Sequence, residues 1–160
     1  MRVLLFHRQF WPLIISGAKR QTIRRTARCE PGDQLSLRGW SGTPYHSTHV
    51  ILGGAVCTEV IPVSIGHGEY QDGLRVGDEV LDLERQDWVV DRRLVFAKAD
   101  GFRCMSDMLA WFRQCGSPRA TENENPSPRL PFEGFAIRWA EISVPEEEAE
   151  TVCEEVAGCR

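Results

Sequence analysis

The chain has 160 residues, the size of one ordinary domain, and 42% of them are hydrophobic, enough for a core. A formal net charge of -4 argues against a general nucleic-acid coat protein. It leaves room for a local basic groove, because Lys19, Arg20, Arg24, Arg25 and Arg28 crowd near the N-terminus while acids crowd the other end.

No apolar run is long enough to span a bilayer, and Val3–Phe6 is too short for the core of a signal peptide. A cytoplasmic protein with no membrane partner is expected. The cysteines at 29, 57, 104, 115, 153 and 159 form no Cys-x-x-Cys pair and no zinc spacing. In a reducing compartment they read as small thiols. A disulfide framework is the lesser alternative, with Cys153 and Cys159 the pair expected to oxidise.

In chain order, Val3–Phe6 reads as a strand. Phe10–Ile15 reads as a short helix with Pro12 in its first turn, closed at Gly17. A charged loop then runs into a strand at Thr22-Ile23. Cys29–Asp33 is a turn built on Pro31-Gly32. Gln34–Trp40 alternates apolar and polar, the mark of a half-buried strand. Ser41–His46 is a loop. Val50–Ile65 reads as one long bent strand with bulges or an edge at Gly53-Gly54 and Pro62. Gly66–Asp78 is a turn-rich excursion, and Glu79–Leu83 with Trp88–Val90 reads as a hairpin or a strand-loop-strand.

Asp91–Ala99 leads into Asp100-Gly101-Phe102. Ser106–Gln114 is the clearest amphipathic helix, with Met105, Met108, Leu109 and Phe112 on one face and a stop at Gly116–Pro118. Arg119–Pro128 is a polar, mobile stretch. Leu130–Gly134 delivers the chain into a closing strand, Phe135–Trp139. From Pro145 the tail is acidic, helical or disordered. Many short strands and two helices predict an α+β protein, a small mixed barrel rather than a doubly wound sheet.

Lys19-x-x-Thr22 can be read two ways. It is a solvated basic loop ahead of a strand threonine, or it is a hydroxyl nucleophile beside an amine base. A threonine hydroxyl needs a neighbour to take its proton. A lysine can do so only when uncharged, and burial and nearby cations favour that form. Spacing alone favours the solvated loop. Asp100 is likewise either a loop carboxylate steadied by a helix start or an acid facing that pair. Trp40 and Tyr45 beside the basic run could stack a base. His46 and His49 lack the partners of a metal site.

Taken together, these stretches resemble the ASCH domain family, a branch of the PUA-like fold. The matching residues are Gly17-Ala18-Lys19, Gln21-Thr22-Ile23-Arg24, the Pro31-Gly32-Asp33 turn, and Trp40-Ser41-Gly42-Thr43-Pro44-Tyr45. Ala99-Asp100-Gly101-Phe102 and Leu130-Pro131-Phe132-Glu133-Gly134-Phe135 extend the match to about residue 140. The resemblance makes residues 1–143 the domain and 144–160 an acidic tail. It implies a mostly antiparallel β-barrel with flanking short helices and a cleft at the basic loop.

Members of that family were first proposed to bind RNA. Some small bacterial ones are amidohydrolases that strip acyl groups from N4-acylated cytidine with a lysine, a threonine and a glutamate. Lys19 and Thr22 match the first two. Asp100 falls at the acidic position, one methylene shorter, with Glu133 the alternative. Arg24, Arg25, Trp40, Tyr45 and Glu133 are the expected substrate-binding residues. No cofactor and no metal are called for. The expected partner is a nucleoside; the alternative is a non-catalytic module that holds RNA or a modified base.

Overall fold

The computed structural model describes residues 1–67, 73–81, 91–114 and 130–143. Seven strands and a few short helices make a small α+β protein with an open, mostly antiparallel sheet. The strands are β1 (Arg2–Phe6), β2 (Gln21–Arg24), β3 (Gln34–Trp40), β4 (His49–His67), β5 (Gly73–Val76), β6 (Glu79–Leu81) and β7 (Phe132–Trp139). The helices are α1 (Trp11–Ile15), α2 (Arg92–Ala99) and α3 (Met105–Gln114), with a 3₁₀ turn at Arg8–Phe10. The strand order is β1-β3-β4-β5-β6, and β7 pairs with β2 and β4. No described helix is long and apolar enough to cross a membrane. The chain divides into two compact units.

The first unit comprises Met1–Thr22, Arg28–Val60 and Ile137–Arg160. Here β1 runs parallel to β3, and β3 runs antiparallel to the first part of β4. Leu37 faces Gly53 and Arg38 faces Ile51, so Leu52 is an extra residue in the ladder. This is the bulge the glycine pair predicts. Pro12 sits in the first turn of α1, and Gly17 ends it in the left-handed region at φ 70°. The Gly17 N–H donates to the Ile14 carbonyl at 2.9 Å. Trp11 is fully buried and donates its indole N–H to the Phe6 carbonyl at 3.3 Å. It fits because Gly39 has no side chain; a Cβ there would overlap the indole ring.

The second unit comprises Ile23–Ala27 and Ile61–Ala136. The far part of β4, β5 and β6 form an antiparallel meander. Asp91 caps α2 by accepting the Arg93 and Leu94 N–H groups at 3.0 Å. Ile65, Leu74, Ala97 and Met108 are fully buried, and Phe96 and Phe102 nearly so. Phe112 packs on Phe132 with ring centres 4.8 Å apart.

Two elements depart from the sequence reading. The excursion read as turns holds β5, whose Gly-Leu-Arg-Val is too short to show a period. The stretch before Asp100 is a full helix, α2, so the described helices outnumber the two expected. Its apolar residues are spread weakly around the axis, and Asp91, its cap, was the available signal. The strand at Trp88–Val90, the stop at Gly116–Pro118, the stretch Arg119–Pro128 and the tail from Pro145 lie outside the described residues. So do Cys115, Cys153 and Cys159.

Candidate functional site

Each unit carries part of the expected set. Lys19 and Thr22, with Trp40 and Tyr45, belong to the first; Arg24, Arg25, Asp100 and Glu133 belong to the second.

In the first unit the turn after α1 reverses the chain and feeds it into β2. The Lys19 N–H donates to the Leu13 carbonyl at 2.8 Å, which fixes the backbone of the turn. The Lys19 side chain is only 2% exposed, and Thr22 only 5%. The solvated basic loop is therefore excluded for both residues. The Lys19 amine lies 4.7 Å from the centre of the Phe10 ring and 5.9 Å from that of Phe6. Burial strips water from the ammonium and favours the neutral amine, while the ring faces attract the cation.

Among the described residues the Thr22 hydroxyl has no hydrogen-bond partner, Lys19 included. A nucleophile and its base are often further apart without substrate than during reaction. Between them Gln21 is fully buried, and its side-chain oxygen accepts from Arg138 at 3.2 Å. Arg138 in turn bonds Glu59 at 2.9 Å. This chain holds the start of β2 in place. Gln21 had no expected role, because nothing in its spacing marks a buried amide.

The turn also limits which donors could receive an oxyanion. The Gly17 and Lys19 N–H groups are both spent on carbonyls of α1, at 2.9 and 2.8 Å. Neither is open to receive an oxyanion.

The aromatic pair lies in the loop after β3. Tyr45 is 85% exposed and has a positive φ of 66°. Its ring lies 5.3 Å from that of Trp40, and Trp40 meets His49 edge-on at 4.2 Å. A non-glycine residue in that backbone region is uncommon. The result is an aromatic ledge open to solvent.

In the second unit Asp100 ends α2 rather than opening α3. Its N–H reaches the Phe96 carbonyl at 3.3 Å, and Gly101 follows at φ 90°. The dipole argument drawn from sequence is thereby reversed, since a helix C-terminus is its negative end. Asp100 is nevertheless only 4% exposed. A buried carboxylate there calls for a cation, and Arg24 is within electrostatic reach. Burial pulls the Arg24 guanidinium below its ordinary value, and the Asp100 charge pulls it back up. Gly134 lies against the Arg24 carbonyl, where a side chain would overlap it.

Arg25 is exposed, its guanidinium 5.3 Å from the centre of the Phe132 ring. Glu133 is also exposed and accepts from the Ser64 hydroxyl at 2.6 Å. It borders a hollow of about 250 Å³ with Pro62, Val63, Ser64, Arg75 and Gly77. Ser64 and Arg75 were not singled out by sequence. Among the described residues no group of three metal-ligating side chains comes together.

No family model matches this chain, and neither a curated protein nor a solved structure does.

Proposed function

We propose that this chain is an amidohydrolase that removes the acyl group from the N4 position of acylated cytidine or cytosine, on a PUA-like barrel of the ASCH type. The observation that supports it is the burial of Lys19 and Thr22, an amine on the turn after α1 and an alcohol three positions on, in β2. Nothing in a solvated loop would require either to be sheltered.

In this reading the Thr22 hydroxyl attacks the acyl carbonyl. Its proton passes to Lys19, which must be uncharged at that moment. The tetrahedral intermediate collapses, the carbon–nitrogen bond breaks, and the proton goes to the leaving amine. Water then hydrolyses the threonine ester to give a carboxylic acid and free cytidine. Asp100 is the acid that the ASCH pattern calls for, and Arg24 its charge partner. Glu133 is the alternative acid; its partner Ser64 makes it a hydrogen-bonded surface carboxylate. The test is hydrolysis of N4-acetylcytidine by the wild type, Lys19→Ala and Thr22→Ala.

One observation favours a second reading, a module that holds RNA or a modified base without chemistry. The exposed Tyr45 ring beside Trp40 offers a face on which a base can stack. On that reading Thr22→Ala leaves binding unchanged, and affinity falls steeply with salt as counterions are released.

A further inference from the structure

Two buried thiols in the first unit take no part in either reading. Cys29 precedes the turn into β3, and Cys57 lies on β4. They are far apart in sequence, but the backbone clamps their segments together. The Gly32 N–H donates to the Cys57 carbonyl at 2.8 Å, and the Cys57 N–H donates to the Asp33 carbonyl at 2.9 Å. The Cys57 thiol donates to the Glu59 carbonyl at 3.8 Å, and after burial Cys57 is the strongest influence on the Cys29 thiol. Both are free; Cys29 is 7% exposed and Cys57 1%.

We propose that Cys29 and Cys57 form one oxidation site, a dithiol that a peroxide closes to an intramolecular disulfide. This does not rest on the hydrolase reading. Cysteines on segments whose backbones are already bonded together need little backbone movement to reach bonding geometry. Their burial keeps out bulky disulfide oxidants and selects for a small one.

The steps balance. Cys29, the less deeply buried, loses its proton to solvent, and its thiolate attacks one peroxide oxygen. The O–O bond breaks, a sulfenic acid forms, and hydroxide leaves to take up a proton as water. The Cys57 sulfur then attacks the sulfenic sulfur, the S–S bond forms, and a second water departs. Two thiols give up two electrons, and the peroxide takes them.

The surroundings set the rate. Burial above all, with Cys57 and Asp33 adding and Arg2 of β1 opposing, pushes the Cys29 thiol up to about 11. The pair therefore rests as thiols at neutral pH, and its oxidation quickens as the solution becomes alkaline.

The experiment treats the full native chain with hydrogen peroxide, blocks remaining thiols with N-ethylmaleimide, and maps the unreduced digest by mass spectrometry. The expected product is a Cys29–Cys57 cross-linked peptide, lighter by two hydrogens and opened by dithiothreitol. Its initial rate of formation should rise roughly tenfold per pH unit between about pH 7 and 9. A rate flat with pH would overturn the role of Cys29 as attacker. A digest showing only other pairings, or over-oxidised Cys29 with Cys57 still alkylated, would overturn the site. In Cys57→Ala, peroxide should leave a sulfenic acid at Cys29 that dimedone traps; no adduct there would contradict the proposed order. The wild-type map stands by itself if that variant does not fold.

Discussion

The Lys19 amine stands 4.7 Å from the centre of the Phe10 ring, sheltered almost completely from water. Phe10 ends the 3₁₀ turn that leads into α1, and Lys19 follows the glycine that closes α1. The two ends of one short helical segment therefore enclose the amine. Replacing Lys19 by methionine keeps the volume and removes the charge. A methionine of similar volume keeps the space filled, so we expect the chain to stay folded. The change should abolish any hydrolysis of N4-acetylcytidine. Denaturant unfolding and an activity assay on the same sample check both parts.

Arg24 and Asp100 depend on each other in the second unit. Removing one partner of a sheltered charge pair leaves the other uncompensated. Asp100→Ala should destabilise the fold by about 2–4 kcal/mol. Arg24→Met together with Asp100→Ala should cost less than the sum of the single changes. A double-mutant cycle by urea denaturation measures that coupling.

The Cys29 thiol makes stability pH-dependent. Its folded value, about 11, lies above the ordinary 9.0, so the folded state holds the proton more tightly than the unfolded state. The contribution is fully present below about pH 9 and is lost as pH rises through about 11. In Cys29→Ala that alkaline decline should shrink. Urea midpoints measured between pH 8 and 11 test this.

Gly39 is a packing requirement. A Cβ there would overlap the buried Trp11 indole, and the neighbour cannot swing away because it is fully enclosed. Gly39→Ala should cost about 2–3 kcal/mol or more, read as a fall in the urea midpoint. Tyr45→Ala should leave that midpoint within about 0.5 kcal/mol, because Tyr45 is on the surface. On the binding-module reading the same change should weaken a single-stranded RNA ligand roughly tenfold, the worth of one stacked base. Fluorescence anisotropy checks it.

Local signals carried much of the fold. Alternation in Gln34–Trp40, the Pro31-Gly32 turn and the glycine after α1 each determine structure within a few residues, and each was legible. The long β4 and its bulge were legible for the same reason. What was hidden depends on contacts between distant segments. Asp100 was placed on the wrong end of a helix, because α2 has little amphipathic pattern to announce it. The partnership of Cys29 with Cys57, like that of Ser64 with Glu133, arises only from strand pairing and packing. Sequence drew attention to Cys153 and Cys159 instead, on proximity alone. The burial of Lys19 ran against its composition, since lysine is rarely enclosed. Spacing alone pointed to a solvated loop.

The central claim is that the enclosed amine and the alcohol near it do chemistry. The measurement is the rate of cytidine release from N4-acetylcytidine by the wild type, Lys19→Met and Thr22→Val, with circular dichroism verifying that each is folded. The account predicts turnover in the wild type and a loss of at least about a hundredfold in each variant, the scale of a missing base or nucleophile. Equal rates in all three folded proteins, or no turnover by the wild type, would contradict it.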